Sequence, residues 1–381
     1  MKIKSHLQFY LENKISPVSQ NFKKNIHFQR RSSLYKYLGL TKEYFENKSI
    51  LEVGPAEGHN STFLAHLNPK ELLLLEPNPY AHNNIRKIFK KINVSDKKLK
   101  IVKTTLEKFK TKKVFDIVIC EAWLGINSHE RKLMKKLSKF VKKGGILIVT
   151  AASPIGFFSN ILRRVLGNLV TKNVNNLDKK TSVLVKAFSS HLKTLKNMSC
   201  PHKDWVQDSL IGSGFLSMHP TPKMIFKDVG EKFDFFNSYP TFNSDWRWYK
   251  DLHGGKENAK KNFLKNYFKQ CHNFIDYRHV YKEANPKLNS NLEKKVSALM
   301  QILIKYEYKR NDKNFNKFKN KLKSIYKLFK KIDSFKNEGV LQGINLIENK
   351  KNISVAKIKK MEKFRYVFGR ELLYLSLLKI K

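Results

Sequence analysis

The stretch LEVGPAEGHN, residues 51–60, runs from an apolar segment into a turn that carries Gly54 and Gly58, with an acid, Glu52, just ahead of it. Gly54 lets the backbone bend through dihedrals closed to other residues, and Gly58 lets it approach a ligand closely. A glycine turn after a strand is common on its own. Here a second acid, Glu76, closes the apolar run ELLLL 22 residues after Gly54. An acid at that distance, at the end of a second strand, accepts hydrogen bonds from both hydroxyls of a ribose. The pair of features points to a nucleoside-bearing ligand. A dinucleotide fits poorly, because its pyrophosphate wants three glycines and a helix N-terminus. Ala56 stands at the middle position, and Glu52 and Glu57 bring negative charge to the turn. That charge suits a cation such as a sulfonium.

Positioning these residues requires strands that end together. Residues 49–53, 71–76, 99–105, 113–123 and 144–153 read as near-continuous apolar strands. Between them, 60–66, 82–92 and 127–143 read as helices, the last with Asn127 as cap and Glu130 three residues on. This alternation predicts an α/β fold with a doubly wound, Rossmann-like parallel sheet, whose ligands sit beyond the carboxyl ends of the strands. Beyond the last proline, Pro286, the pattern is helical. Leu292, Val296, Leu299, Leu303 and Tyr306 form one stripe, and Phe315, Phe318, Leu322, Ile325, Phe329, Ile332 and Phe335 form another over 312–336. A third helix is expected over 353–379. The reading divides the chain into a helical cap (1–45), the sheet domain (46–240) and a basic helical C-terminal extension (241–381).

Taken in order, the motifs of residues 48–153 resemble a class I S-adenosylmethionine-dependent methyltransferase. The acid-x-Gly-x-Gly-x-Gly turn is read here as EVGPAEG, followed by the ribose acid in LLLLEPNP, by FDIVICEAW at strand four and by VKKGGILIV at strand five. Ala56 in place of the middle glycine is the departure. The resemblance implies that Glu52, Gly54, Ala56 and Gly58 frame the methionine part of S-adenosylmethionine. It further implies that Glu76, Pro77 and Asn78 hold the ribose, and that Thr105, Leu106 and Glu107 border the adenine. Glu121, Ala122 and Trp123 line the floor where cofactor meets acceptor.

Methyl transfer from a sulfonium is an in-line displacement governed by proximity and orientation. An oxygen acceptor also needs a base, and the candidates are Glu121 and His129. His129 lies at a helix start, where the dipole favours a neutral, basic imidazole. No metal is required, and the sequence shows no metal-ligand cluster. CEAW after strand four lacks the Asn/Asp/Ser-Pro-Pro-aromatic signature of amino-group methyltransferases acting on adenine. Cys120 lacks the preceding proline of cytosine-C5 nucleophiles, and no Lys-Asp-Lys-Glu set for ribose 2′-O transfer is evident. The segments SYPTFNSDWRWYKDLHG (238–254) and CHNFIDYRHVY (271–281) interleave aromatics with Asp, Arg and His. Such residues stack on a sugar's C–H face and bind its hydroxyls, which makes Asp245, Trp246, Arg247, Trp248, Arg278 and His279 the acceptor-site candidates. This region also resembles bacterial methyltransferases associated with surface-polysaccharide synthesis. The reading is thus O-methylation of a small-molecule or glycan acceptor. The alternatives are an RNA methyltransferase that grips phosphates with its basic helices, and an inactive cofactor-binding module.

The net charge of +45 comes from 76 basic and 31 acidic residues. Residues 287–381 carry 25 basic against 8 acidic residues, a net of +17. Only 11 of the basic residues are arginine, the side chain that reads phosphates and bases through a bidentate fork. Dispersed lysine therefore reads as solvated surface ahead of a nucleic-acid groove or a membrane-facing helix. Three scattered cysteines fit a reducing cytoplasm. The N-terminal residues make a poor secretion signal, and no apolar stretch approaches the ~20 residues of a membrane span.

Overall fold

The computed structural model describes residues 6–16, 23–126, 128–242, 245–251, 259–278, 282–332 and 335–381. The chain divides into two compact units. One comprises residues 4–152, 217–266 and 372–381 and carries the sheet; the other comprises 153–216 and 267–371 and is helical.

The sheet has seven strands: β1 (Ser49–Val53), β2 (Glu71–Leu75), β3 (Leu99–Val102), β4 (Phe115–Cys120), β5 (Val141–Ala152), β6 (Phe233–Tyr239) and β7 (Leu372–Lys379). Their spatial order is β3-β2-β1-β4-β5-β7-β6. Strands β1 to β5 are mutually parallel, and β7 runs antiparallel to both β5 and β6. Chain order reverses between β1 and β4, so the crevice for a ligand opens at their carboxyl ends. The register sets Glu52 opposite Leu74 and Val53 opposite Leu75. The next rung, Gly54 N–H to Leu75 C=O at 3.0 Å, continues the ladder and brings Glu76 alongside Gly54. Because side chains alternate along a strand, Glu52 and Glu76 fall on the same face.

The core explains why these segments are strands. Ile50, Leu72, Leu74, Ile117, Ile119, Ile146 and Ile148 pack with Phe63, Ile85 and Phe89 from the crossover helices His59–His66 and Pro79–Lys91. Tyr35 and Leu38 add an N-terminal layer to the same core. The helix Lys24–Tyr37 thus packs into the sheet unit, where the sequence suggested a separate cap.

The expected helix over 353–379 is corrected. Leu373, Leu375 and Leu377 are buried at a step of two, the side-chain alternation of a strand, while helix is confined to Val355–Lys359 and a short turn. The neighbours β5 and β6 supply hydrogen bonds on both sides, and Ser376 Oγ donates to the Leu38 carbonyl at 2.8 Å. The helical extension is present, and after it the chain returns to the sheet as β7. Residues 153–216 intervene between β5 and β6 and residues 267–371 between β6 and β7, so the expected boundaries at 46, 240 and 241 differ from the observed units.

Within the helical unit, Leu292, Val296, Leu299, Leu303 and Tyr306 are buried on the helix Pro286–Tyr308, and Phe315, Phe318, Leu322, Ile325 and Phe329 on Asp312–Phe329. The second helix ends at Phe329, short of the expected 336, and the next runs from Phe335 to Glu348. The helix Pro154–Val170 is buried nearly all round. Its Arg163 guanidinium lies 3.6 Å from the Phe368 ring centroid, and Arg164 pairs with Glu307 at 2.6 Å. No described helix is long and apolar enough to cross a membrane.

Candidate cofactor site at the carboxyl edge of the sheet

The turn after β1 takes an unusual backbone path. Gly54, Ala56 and Gly58 all have positive φ, at 71°, 53° and 80°. A Cβ on Gly54 would sit 2.7 Å from the Trp123 ring, and one on Gly58 would sit 3.0 Å from Ile85. Ala56 holds a left-handed conformation that favours glycine, so the departure from the glycine pattern leaves the backbone path in place. This path aims the Ala56 N–H at Glu76 Oε2, 3.1 Å away, while the Asn78 N–H donates to Oε1 at 2.8 Å. Each carboxylate oxygen so engaged keeps a second acceptor position. Burial nevertheless dominates, pushing the Glu76 carboxyl up to about 7.

Glu52 is buried and accepts from Ser61 Oγ at 2.5 Å. Burial, and the neighbouring Glu121 and Glu76, raise it to about 7, against the pull of Ser61 and Arg31. Glu121, after β4, is gripped by a residue that the sequence reading missed. The Arg31 guanidinium donates to both of its oxygens, at 2.5 and 2.9 Å, and Asn60 Nδ2 donates to Oε2 at 3.2 Å. Arg31 also donates to the Tyr35 hydroxyl at 2.6 Å. With both oxygens bound by these donors, Glu121 is a fixture of the floor. Arginine scarcity was the available signal: Arg30–Arg31 is one of two arginine pairs in a lysine-rich chain.

The edge thus gathers three carboxyl groups and one guanidinium in a protein of net charge +45. When ionised this set is net negative. It fits a cationic sulfonium with a ribose diol and would repel a pyrophosphate. Arg31, Tyr35, Asn60 and Ser61 join the predicted Glu52, Gly54, Ala56, Gly58, Glu76 and Glu121 in one constellation.

Other predicted residues take different roles. Asn78 is fully buried and caps the helix Pro79–Lys91, accepting from Tyr80 N–H at 3.0 Å and donating to the Ile15 carbonyl at 3.2 Å. Pro77 lies between these two groups. Ala122, also left-handed, donates its N–H to Thr150 Oγ1 at 2.8 Å, and Trp123 covers Gly54. Beyond β3, Leu106 is core, Thr105 is half-buried and Glu107 is exposed. His129 is also exposed, its Nε2 3.4 Å from Glu107. Its expected cap, Asn127, lies outside the described residues.

The acceptor candidates are divided between the two units. In the sheet unit Trp246, Trp248 and Tyr249 are 97%, 60% and 69% exposed, and Arg247 pairs with Asp245 at 2.6 Å. Arg278 belongs to the helical unit, where it pairs with the buried Asp276 at 3.1 Å. His279 lies outside the described residues. Among the described residues no group of three His, Cys, Asp or Glu could hold a metal ion.

A seven-stranded sheet of this order, with acids ending β1 and β2 beside a left-handed turn, is that of a class I methyltransferase. Residues 51–149 match the family model described as "Methyltransferase domain", and the chain carries such a domain, of the class that uses S-adenosylmethionine. The chain is 26% identical to protein arginine N-methyltransferase 6 of Danio rerio over 128 residues, 32% of this chain and 36% of the relative. It thus spans about a third of the length of that curated relative. Among solved structures, it is similar to the N-methyltransferase NodS from Bradyrhizobium japonicum WM9 in complex with S-adenosyl-L-homocysteine. There the identity is 22% over 33% of this chain and 61% of that one, with a TM-score of 0.27. It is also similar to PKMT2 from Rickettsia typhi, 12% identical over 66% of this chain and 52% of that one, with a TM-score of 0.41.

The raised Glu52 carboxyl has a consequence for stability. An acid whose folded pKa lies above its unfolded value binds a proton more tightly in the folded state. Stability is then fullest below about 4.5 and falls as pH rises toward about 7. Glu52→Gln removes this dependence. Relative to wild type, its unfolding free energy in urea is expected to rise by roughly 3 kcal/mol between pH 4.5 and 8. Parallel pH profiles for the two proteins would show that Glu52 is not held protonated by its site.

Proposed function

We propose that the chain is an S-adenosylmethionine-dependent methyltransferase acting on an oxygen of a small-molecule or glycan acceptor. The observation that carries the cofactor half is the Glu76 carboxylate, fixed by two backbone N–H groups with an acceptor position left on each oxygen. Bound S-adenosylmethionine supplies an electrophilic methyl on a sulfonium sulfur. The chain's own residues orient and shield. Glu76 holds the ribose hydroxyls, the left-handed Gly54–Gly58 turn gives close backbone approach, and Glu52 with the Arg31–Glu121 ion pair forms the floor. With Glu121 committed to Arg31, His129 is the remaining base of the two candidates.

The acceptor half is supported by Trp246, Trp248 and Tyr249, which present large exposed rings beside the Asp245–Arg247 pair. Exposed aromatic faces with adjacent polar groups suit the C–H face and hydroxyls of a sugar. The curated relative is named an arginine N-methyltransferase, so a protein nitrogen is the competing acceptor that an assay must include.

Three measurements check this reading. Calorimetry with S-adenosylhomocysteine is expected to show Glu76→Ala binding more weakly by ~1.5–3 kcal/mol, the cost of losing a charged partner; unchanged affinity would remove Glu76 from the ribose site. Incubated with fractions of a bacterial extract, methyl-labelled S-adenosylmethionine should deliver its label to glycans or small molecules. Label confined to RNA or protein would refute the acceptor assignment. On the acceptor so found, His129→Ala is expected to lower kcat ~100-fold while leaving cofactor affinity intact, and full turnover would exclude His129 as the base.

A further inference from the structure

The helical unit contains a cavity of about 460 Å³ that methyl transfer does not use. Four cationic side chains line it, Lys172, Arg310, Lys350 and Lys351, and no carboxylate does. Its remaining wall is largely apolar, including Leu169 and Tyr306. The volume is that of an ordinary small-molecule site.

Like charges gathered around one space repel, and an anion entering that space relieves the repulsion. The helices Pro154–Val170 and Pro286–Tyr308 both end here, and their dipoles attract cations. Each contributes only about half a negative charge, and Asp312, paired with Lys350, a full one, so the four cations leave the lining net positive.

Two of the cations are held in place. Arg310 Nη2 donates to Asn168 Oδ1 at 3.2 Å, and the buried Asn168 donates through Nδ2 to Glu307 Oε1 at 2.8 Å. Glu307 is clamped by Arg164 at 2.6 and 2.9 Å. This chain of bonds fixes one guanidinium nitrogen of Arg310 and leaves its other N–H groups to a ligand. Lys350 is held 2.6 Å from Asp312 and 4.6 Å from the Phe315 ring centroid. Lys180 reports the same field, since burial first, and then Arg310 and Arg164, lower its pKa.

We propose that this cavity is a binding site for a small organic phosphate carrying two or more phosphate groups, with the phosphates on Arg310, Lys350, Lys351 and Lys172 and the organic part against Leu169 and Tyr306. The assignment is independent of the methyltransferase reading.

The test is calorimetry on the full chain with inorganic pyrophosphate, ATP and adenosine as probes. Pyrophosphate and ATP are expected to bind, with affinity falling at least tenfold between 50 and 200 mM salt, as ~2–4 charge contacts imply, and any binding of adenosine, at the cofactor edge, to be the same in the cavity variant as in wild type. The double variant Arg310→Gln, Lys351→Gln should lose at least tenfold for both phosphates. Its two positions are solvent-exposed, and an unchanged melting temperature will confirm that it folds. Arg310→Lys, which keeps the charge, should retain most of the affinity. Lys97→Gln, Lys98→Gln, on an exposed turn of the sheet unit, should bind as wild type. The proposal is overturned if neither phosphate binds at 1 mM. It is equally overturned if the cavity variant binds as wild type, or if ATP binds while pyrophosphate does not, which would place the adenosine in another pocket.

Discussion

A carboxylate that takes two backbone N–H groups and still keeps an acceptor position on each oxygen is the constraint around which the sheet unit is arranged. Glu76 can occupy that state only because the turn after β1 is left-handed at three alternate residues, which points the Ala56 N–H across the crevice. The turn in turn depends on the parallel register of β1 and β2, which sets Gly54 beside Glu76. Sheet register, turn handedness and carboxylate placement are thus links of one argument.

The electrostatics of this edge run against the rest of the molecule. A chain of net charge +45 concentrates acids at β1, β2 and β4 and admits one arginine among them. Burial raises Glu52 and Glu76, so the edge adjusts its charge by holding protons where the lysine-rich surface cannot neutralise it. Local chemistry therefore decides ligand type more than net charge does. The helical unit shows the opposite arrangement, a cavity lined by four cations and, among the described residues, by no carboxylate, and the two sites call for ligands of opposite sign.

Much of the sheet was legible in the sequence because parallel strands buried on both faces are unbroken apolar runs, as in ILEV and LLLL. Glu52, Gly54 and Glu76 were legible because glycine and acids interrupt such runs only where backbone or ligand demands it. Arg31 was not, since the helix KNIHFQRRSSLYKY has no clean apolar stripe and reaches β4 only through the fold. Strand β7 was missed for a similar reason. LLYLSLLK, following a long basic helical region, carries too few residues to separate a step of two from a step of three or four, and its partners lie far back in the chain. Composition marks the acceptor candidates but carries no sign that Arg278 pairs with Asp276 in the helical unit.

The central claim is tested most directly by a crystal structure of the chain with S-adenosylhomocysteine. The account predicts the two ribose hydroxyls within about 2.6–3.0 Å of the Glu76 carboxylate oxygens, with the Ala56 and Asn78 N–H bonds retained. A ribose bound elsewhere, with Glu76 still turned onto its backbone donors and away from the ligand, would contradict it.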